Sequence, residues 1–240
     1  MRKFDFREVY LNNLNLKTSQ NYSELNGFLN WVENLVKVNN NAPFKYIEIG
    51  SYAGESLYYI SQILPENSLI TIVDLGDNKV ANKVLEEKII PLISKKHEVL
   101  YLKGDARNPE AVNKAKAKGP YNLCFIDANH NFEFAIEDFK NYGPFSHWIS
   151  FHDISKFNTA KTKSKYGVYQ ANANHIWECI KLMWPSHFNT EAKEPARFEF
   201  IDHNDSLQDF LKDPEFYNKN TNIDKPRGFG ITANFFGASL

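Results

Sequence analysis

The sequence predicts an α/β fold built on a doubly wound, mainly parallel sheet, and three observations carry that reading. Short apolar runs alternate with helix-period stretches through residues 44–154, the pattern of parallel strands joined by right-handed crossovers. The first run, Phe44 to Ile49, breaks at Gly50, with Gly54 four residues on, before Leu57, Ile60 and Leu64 recur on one helical face. Polar or acidic residues then close each run in turn: Gly50, Asp74, Asp105, Asp127 and Asp153. Doubly wound sheets bind their ligands at that carboxyl end.

Taken in order, residues 5–40 carry a helical stripe (Leu25, Phe28, Leu29, Trp31, Val32, Leu35, Val36), so residues 1–42 read as a helical cover ahead of the main domain, 43–240. Asn39 to Asn41 and Pro43 stop that helix. After the first strand, turn and helix, Pro65-Glu66-Asn67 marks a turn, and Leu69 to Val73 is the second strand, ending on Asp74. A helix follows from Val80 to Ser94, with Pro91 placed to bend or interrupt it. Val99 to Leu102 is the third strand, Ala111 to Lys118 a polar helix, and Tyr121 to Ile126 the fourth strand, ending on Asp127-Ala128-Asn129-His130. A helix from Glu133 to Asn141 leads to the fifth strand, Trp148 to Phe151, and His152-Asp153. Ser155 to Lys165, with Lys156, Lys161, Lys163 and Lys165, reads as a mobile loop. Arg197 to Ile201 and Phe229 to Ala233 read as closing strands, which brings the sheet to seven, with a polar insertion at about 203–226 between them.

Composition narrows the function. At 240 residues, 42% hydrophobic and 24% charged, the chain suits one soluble globular unit. A net charge of -1 argues against a nucleic-acid partner held by bulk charge. No apolar run approaches the roughly 20 residues of a membrane helix, and MRKFDFREVY lacks an apolar signal core. Cys124, in an apolar run, and Cys179, in a helical pattern, read as buried thiols of a reducing compartment. The expectation is a cytoplasmic protein with no nucleic-acid or membrane partner. The aromatic C-terminal segment, with Phe235 and Phe236, leaves room for a homo-oligomer.

The first turn then discriminates between ligands. A nicotinamide dinucleotide asks for GxGxxG, so that bare backbone approaches the pyrophosphate. Counted from Gly50, those positions hold Tyr52 and Glu55, a bulky group and a carboxylate that repels phosphate. Asp74 still suits a ribose diol, because a carboxylate accepts two hydroxyl hydrogen bonds. Adenosine without a pyrophosphate points to S-adenosylmethionine. The alternatives are a nicotinamide-dependent oxidoreductase and a non-catalytic cofactor-binding protein on the same fold.

The succession EIGSYAGES, VDLGDN, GDARNPEAV, YNLCFIDANHNFE and WISFHDI resembles the motifs of class I S-adenosylmethionine-dependent methyltransferases, in register over residues 44–154. FIDxxHxxE followed by FHD resembles the branch of small-molecule and sugar O-methyltransferases and, more distantly, the metal-dependent catechol-type enzymes. The resemblance implies a Rossmann-like sheet with helices on both faces. It implies that Gly50, Ser51 and Gly54 form the loop around the cofactor's methionine part, with Glu48 beneath it. It places Asp74 on the ribose hydroxyls, Asp105 and Ala106 beside the adenine, and Asp127 at the edge of the same site. Ala128 and Asn129 depart from the pattern, which often has glycine and aspartate there.

Methyl transfer to oxygen needs a hydroxyl made nucleophilic. His130, three residues past a strand end, suits a general base, with Asp127 as its catalytic companion. Asp127 and Asp153, with His152, would also suit Mg²⁺ or Mn²⁺, an ion that lowers the pKa of a bound hydroxyl. The expected acceptor is a hydroxylated small molecule, such as a sugar. The lysines of 155–165 would favour one bearing phosphate.

Overall fold

The computed structural model describes residues 22–152 and short strands at 163–164, 167–168, 199–201 and 229–233. Along residues 22–152 the elements are α1 (Tyr22–Val38), β1 (Lys45–Ile49), α2 (Glu55–Ile63), β2 (Leu69–Asp74) and α3 (Lys79–Val84). A π-helical turn, Leu85–Ile89, joins α3 to α4 (Ile90–Ile93), and β3 (Glu98–Lys103), α5 (Pro109–Lys118), β4 (Tyr121–Ile126), α6 (Phe132–Tyr142) and β5 (Ser146–His152) follow.

Runs rich in Ile, Val, Leu and aromatic residues become strands because both faces of the sheet are covered. The parallel strands lie in the order β3-β2-β1-β4-β5. The chain therefore winds one way from β1 and the other way from β4, and a crevice opens between their carboxyl ends. Ile49 pairs with Val73 on one side and Ile126 on the other, so the three strands end level. Alternation along β1 divides the core. Tyr46 packs with Leu25, Phe28 and Leu29 of α1 and with Leu57 and Ile60 of α2. Ile47 and Ile49 pack on the opposite face with Ala135, Phe139 and Tyr142 of α6.

The α/β architecture with its parallel sheet and helices on both faces is as expected. The parallel body counts five strands. Two further strands extend its edge and run antiparallel: β9 (Phe229–Ala233) pairs with β5, and β8 (Glu199–Ile201) with β9. The expected loop at 155–165 falls mostly outside the described residues, but its end differs from a plain loop. There β6 (Lys163–Ser164) and β7 (Gly167–Val168) pair as an antiparallel hairpin. The stretches 1–21 and 203–226, and Cys179, Phe235 and Phe236, lie outside the described residues.

Pro91 interrupts its helix one turn earlier than its own position. Proline cannot donate to the carbonyl four residues back, and its ring crowds that carbonyl. The backbone answers by widening: the Ile90 N–H bonds to Leu85 O, an i→i−5 step, and Pro91 is left at the second position of α4. The ends of α5 follow ordinary capping. Asn108 accepts from the Glu110 N–H, and Pro109 starts the helix, where its missing donor costs nothing.

Candidate active site

The site grows from the turn after β1. Glu48 is fully buried beneath it, taking the Tyr46 hydroxyl on Oε2 and the Ser56 hydroxyl on Oε1, each at 2.6 Å. Burial pushes the Glu48 carboxyl up to about 8, against the pull of those two donors. Gly50 has φ +87°, and a Cβ there would sit 2.3 Å from Ala128 Cα and 2.6 Å from Asp127 O. Only glycine fits, because two strand ends meet at that point. The Gly50 N–H bonds to Val73 O and the Asp127 N–H to Ile49 O, both at 2.8 Å.

Asp74 fastens the turn from the side. Its Oδ2 accepts from the N–H groups of Ser51 and Tyr52, and its Oδ1 from Gly76, all at 2.8 Å. An oxygen accepting one N–H keeps a lone pair for a ligand hydroxyl. Asp74 therefore orients the turn and keeps acceptor capacity on Oδ1, which takes a single N–H.

Over the strand ends lies a cavity of about 740 Å³. Gly50, Ser51, Asp74, Asp105, Ala106, Asp127 and His130 all line it. The structure thus gathers expected site residues from four strand ends. Glu48 does not line it, in keeping with a place beneath the loop. Gly54 is likewise not among the lining residues. It caps α2 at φ +84°, and a Cβ there would meet Leu85 and Ile89 at 2.9 Å, so its glycine serves helix packing. Asp105 is engaged on both oxygens by Arg107: the backbone N–H and Nε donate to Oδ1 at 2.9 Å, and a terminal nitrogen to Oδ2 at 2.6 Å. The guanidinium also lies 4.3 Å over the Phe134 ring.

At the other side of the cavity, Asp127 Oδ1 lies 3.2 Å from His130 Nε2 and 3.0 Å from His152 Nδ1. His152 is only 1% exposed, whereas the His130 side chain is 41% exposed beside the cavity. Burial alone would raise the Asp127 carboxyl, but the two imidazoles outweigh it and hold it below the usual carboxylate range. Asp153 lies outside the described residues. Among the described residues, no group of three or more His, Cys, Asp or Glu is arranged to hold a metal ion.

Sequence reasoning missed Tyr46 and Ser56 under Glu48, Arg107 across Asp105, and Phe134 and Asp138 in the cavity wall. One of these had a visible signal. Asp138 falls on the apolar stripe Ala135, Phe139, Tyr142 of α6, and a carboxylate in such a stripe needs a reason. Arg107 had none, since an exposed arginine two residues past an aspartate is commonplace.

The family model described as a methyltransferase domain matches residues 47–154. That stretch contains the Gly50 turn and the strand ends that line the cavity. The match and the shared fold bear out the resemblance to class I S-adenosylmethionine-dependent methyltransferases. Among solved structures the domain is similar to MycE methyltransferase from the mycinamycin biosynthetic pathway, in complex with Mg and SAH, at 13% identity and a TM-score of 0.55. That alignment covers 99% of this chain and 56% of MycE, so the chain spans about half of its length. An O-methyltransferase from Bacillus cereus in complex with SAH aligns over 95% of this chain and 90% of its own, at 13% identity and a TM-score of 0.54. TomG from Streptomyces achromogenes, an O-methyltransferase of tomaymycin synthesis in complex with SAM, gives 13% identity, 98% and 99% coverage and a TM-score of 0.53. At such identity these likenesses establish the fold alone. No curated protein matches the chain.

Proposed function

We propose that the protein transfers a methyl group from S-adenosylmethionine to a hydroxyl of a small molecule, with His130 taking the hydroxyl proton. The observation that carries this reading is the His130–Asp127 contact at the wall of the cavity that the Gly50 turn also lines. The cofactor fits the residues present. The cavity volume suits a nucleoside-sized ligand, Asp74 offers a carboxylate oxygen to a diol, and Glu55 at the start of α2 disfavours a pyrophosphate. That last point speaks against the nicotinamide alternative. The solved structures it resembles include methyltransferases described with SAH or SAM.

S-adenosylmethionine supplies a methyl on a sulfonium; as the acceptor oxygen attacks in line, the C–O bond forms, the C–S bond breaks and its electron pair stays on sulfur. The protein's part is alignment and proton removal. Asp127 holds His130 by one ring nitrogen, the imidazole takes the proton at the other, and the adjacent carboxylate stabilises the resulting imidazolium. His152, on the same oxygen, keeps Asp127 ionised and oriented. Asp127, His152 and Asp153 are the residues that would hold Mg²⁺ or Mn²⁺. Because two imidazoles already occupy Asp127 Oδ1, the proton step is assigned to His130. The acceptor class proposed is a sugar or a similar polyhydroxylated compound, with phosphate-bearing forms favoured by the lysines of 155–165.

The test is methyl transfer from labelled S-adenosylmethionine to a panel of sugars, phosphosugars and phenols, with and without a chelator. His130→Ala should lower kcat by about 10²–10⁴-fold while leaving S-adenosylhomocysteine affinity unchanged. An unaltered kcat would remove His130 from the reaction. Loss of transfer on chelation alone would give the proton step to a metal.

A further inference from the structure

We infer that Asp138 reads the purine edge of the cofactor, acting as a carboxylic acid that donates to a ring nitrogen and accepts from the exocyclic amino group. The inference rests on the S-adenosylmethionine reading and deepens it.

Asp138 stands on α6, is 3% exposed and lines the cavity beside Ala106, Arg107 and Phe134. Tyr142, one turn further along α6, donates its hydroxyl to Ala106 O at 2.7 Å and so ties the helix to the loop after β3. The turn at Gly50 and the Asp127–His130 pair make the polar part of the cavity, whereas Phe134 and Ala106 give apolar walls suited to a planar ring. Asp138 has no hydrogen-bond or ion-pair partner among the described residues. A buried, unpartnered carboxyl facing a cavity is costly to keep unless a ligand completes it.

Adenine presents a donor, its amino group, next to an acceptor, a ring nitrogen. The complement is a donor beside an acceptor, which a neutral carboxyl supplies and a carboxylate does not. Asp105 cannot fill this role, because Arg107 takes both of its oxygens and holds it ionised. Burial raises the Asp138 carboxyl to about 7; Arg107 pulls it down, and Asp105 and Glu137 push it up. The other titratable groups that feel it are Cys124 of β4 and Tyr142 on its own helix, both neutral near pH 7 because burial raises them. Asp138 is therefore poised to bind cofactor in its protonated form.

The experiment is calorimetric titration of S-adenosylhomocysteine into the full-length protein and its Asp138→Asn and Asp138→Leu variants, from pH 6 to 9. Wild-type affinity should fall about tenfold as pH rises through 7, the loss of one hydrogen bond and its replacement by lone-pair repulsion. Asp138→Asn keeps a donor and an acceptor, so it should match the wild type near pH 6 and stay flat relative to it above pH 7. Asp138→Leu should bind at least tenfold more weakly at pH 6. Wild-type and Asp138→Asn profiles that run parallel would overturn the inference even if the leucine variant failed to fold. A folded Asp138→Leu that binds normally would do the same. Absence of binding by the wild type at every pH would instead overturn the cofactor reading, and this inference with it.

Discussion

Three carboxyls around one cavity are set apart by their surroundings. Asp127 is held ionised by two imidazoles, Asp138 is raised to about 7 by burial, and Glu48, buried under the turn, is raised to about 8. Glu48 gives a stability prediction whose sign is fixed. Its folded value lies above its ordinary 4.5, so between the two the folded chain binds the extra proton. The stability it contributes is whole below about 4.5 and is lost as pH rises towards 8. Glu48→Gln keeps two hydroxyl partners without an ionisation to oppose; it should stabilise the protein at pH 8 by about 1 kcal/mol, or ~2–4 °C in thermal midpoint. The gain should vanish at pH 5. Thermal unfolding at both pH values measures it, and a variant less stable at pH 8 than at pH 5, relative to wild type, would show that Glu48 is a working carboxylate. Such assignments were only partly legible in the sequence. Asp127 and His130 were readable because they end a strand in a patterned motif, whereas the state of Glu48 depends on Tyr46 and Ser56, which nothing local marks.

At the scale of elements, the β1–α2 turn decides whether a site exists. It is held by Gly50 against Ala128, by two strand-end hydrogen bonds and by Asp74 against three N–H groups. Gly50→Ala combines a positive φ with a backbone clash, and should cost about 2 kcal/mol or more and abolish S-adenosylhomocysteine binding. Denaturant unfolding together with titration checks both, and full binding in that variant would mean the turn is not the cofactor cradle. The strands and this turn were legible because apolar runs and glycines state them directly. The packing of Gly54 against Leu85 and Ile89 was not legible, since a glycine needed for helix packing looks the same in sequence as one needed for a ligand. The widening of the helix before Pro91 was signalled by the proline but not its position, because the backbone relieves the strain upstream.

At the scale of the molecule, the sheet order puts the switch between β1 and β4, and Gly50, Asp74, Asp127 and His130 gather at that crevice. The alternation of apolar runs with helix-period stretches made the parallel sheet readable, but not its strand order. The edge was harder, because an antiparallel pair adds to a five-stranded parallel body through segments far apart in the chain. The central claim is that this crevice binds S-adenosylmethionine for methyl transfer. Titration of S-adenosylhomocysteine at pH 6.5, with Mg²⁺ and again with a chelator, tests it most directly. The prediction is one site of micromolar affinity, largely indifferent to the chelator and weakened by Asp74→Ala. No heat of binding under either condition would contradict it.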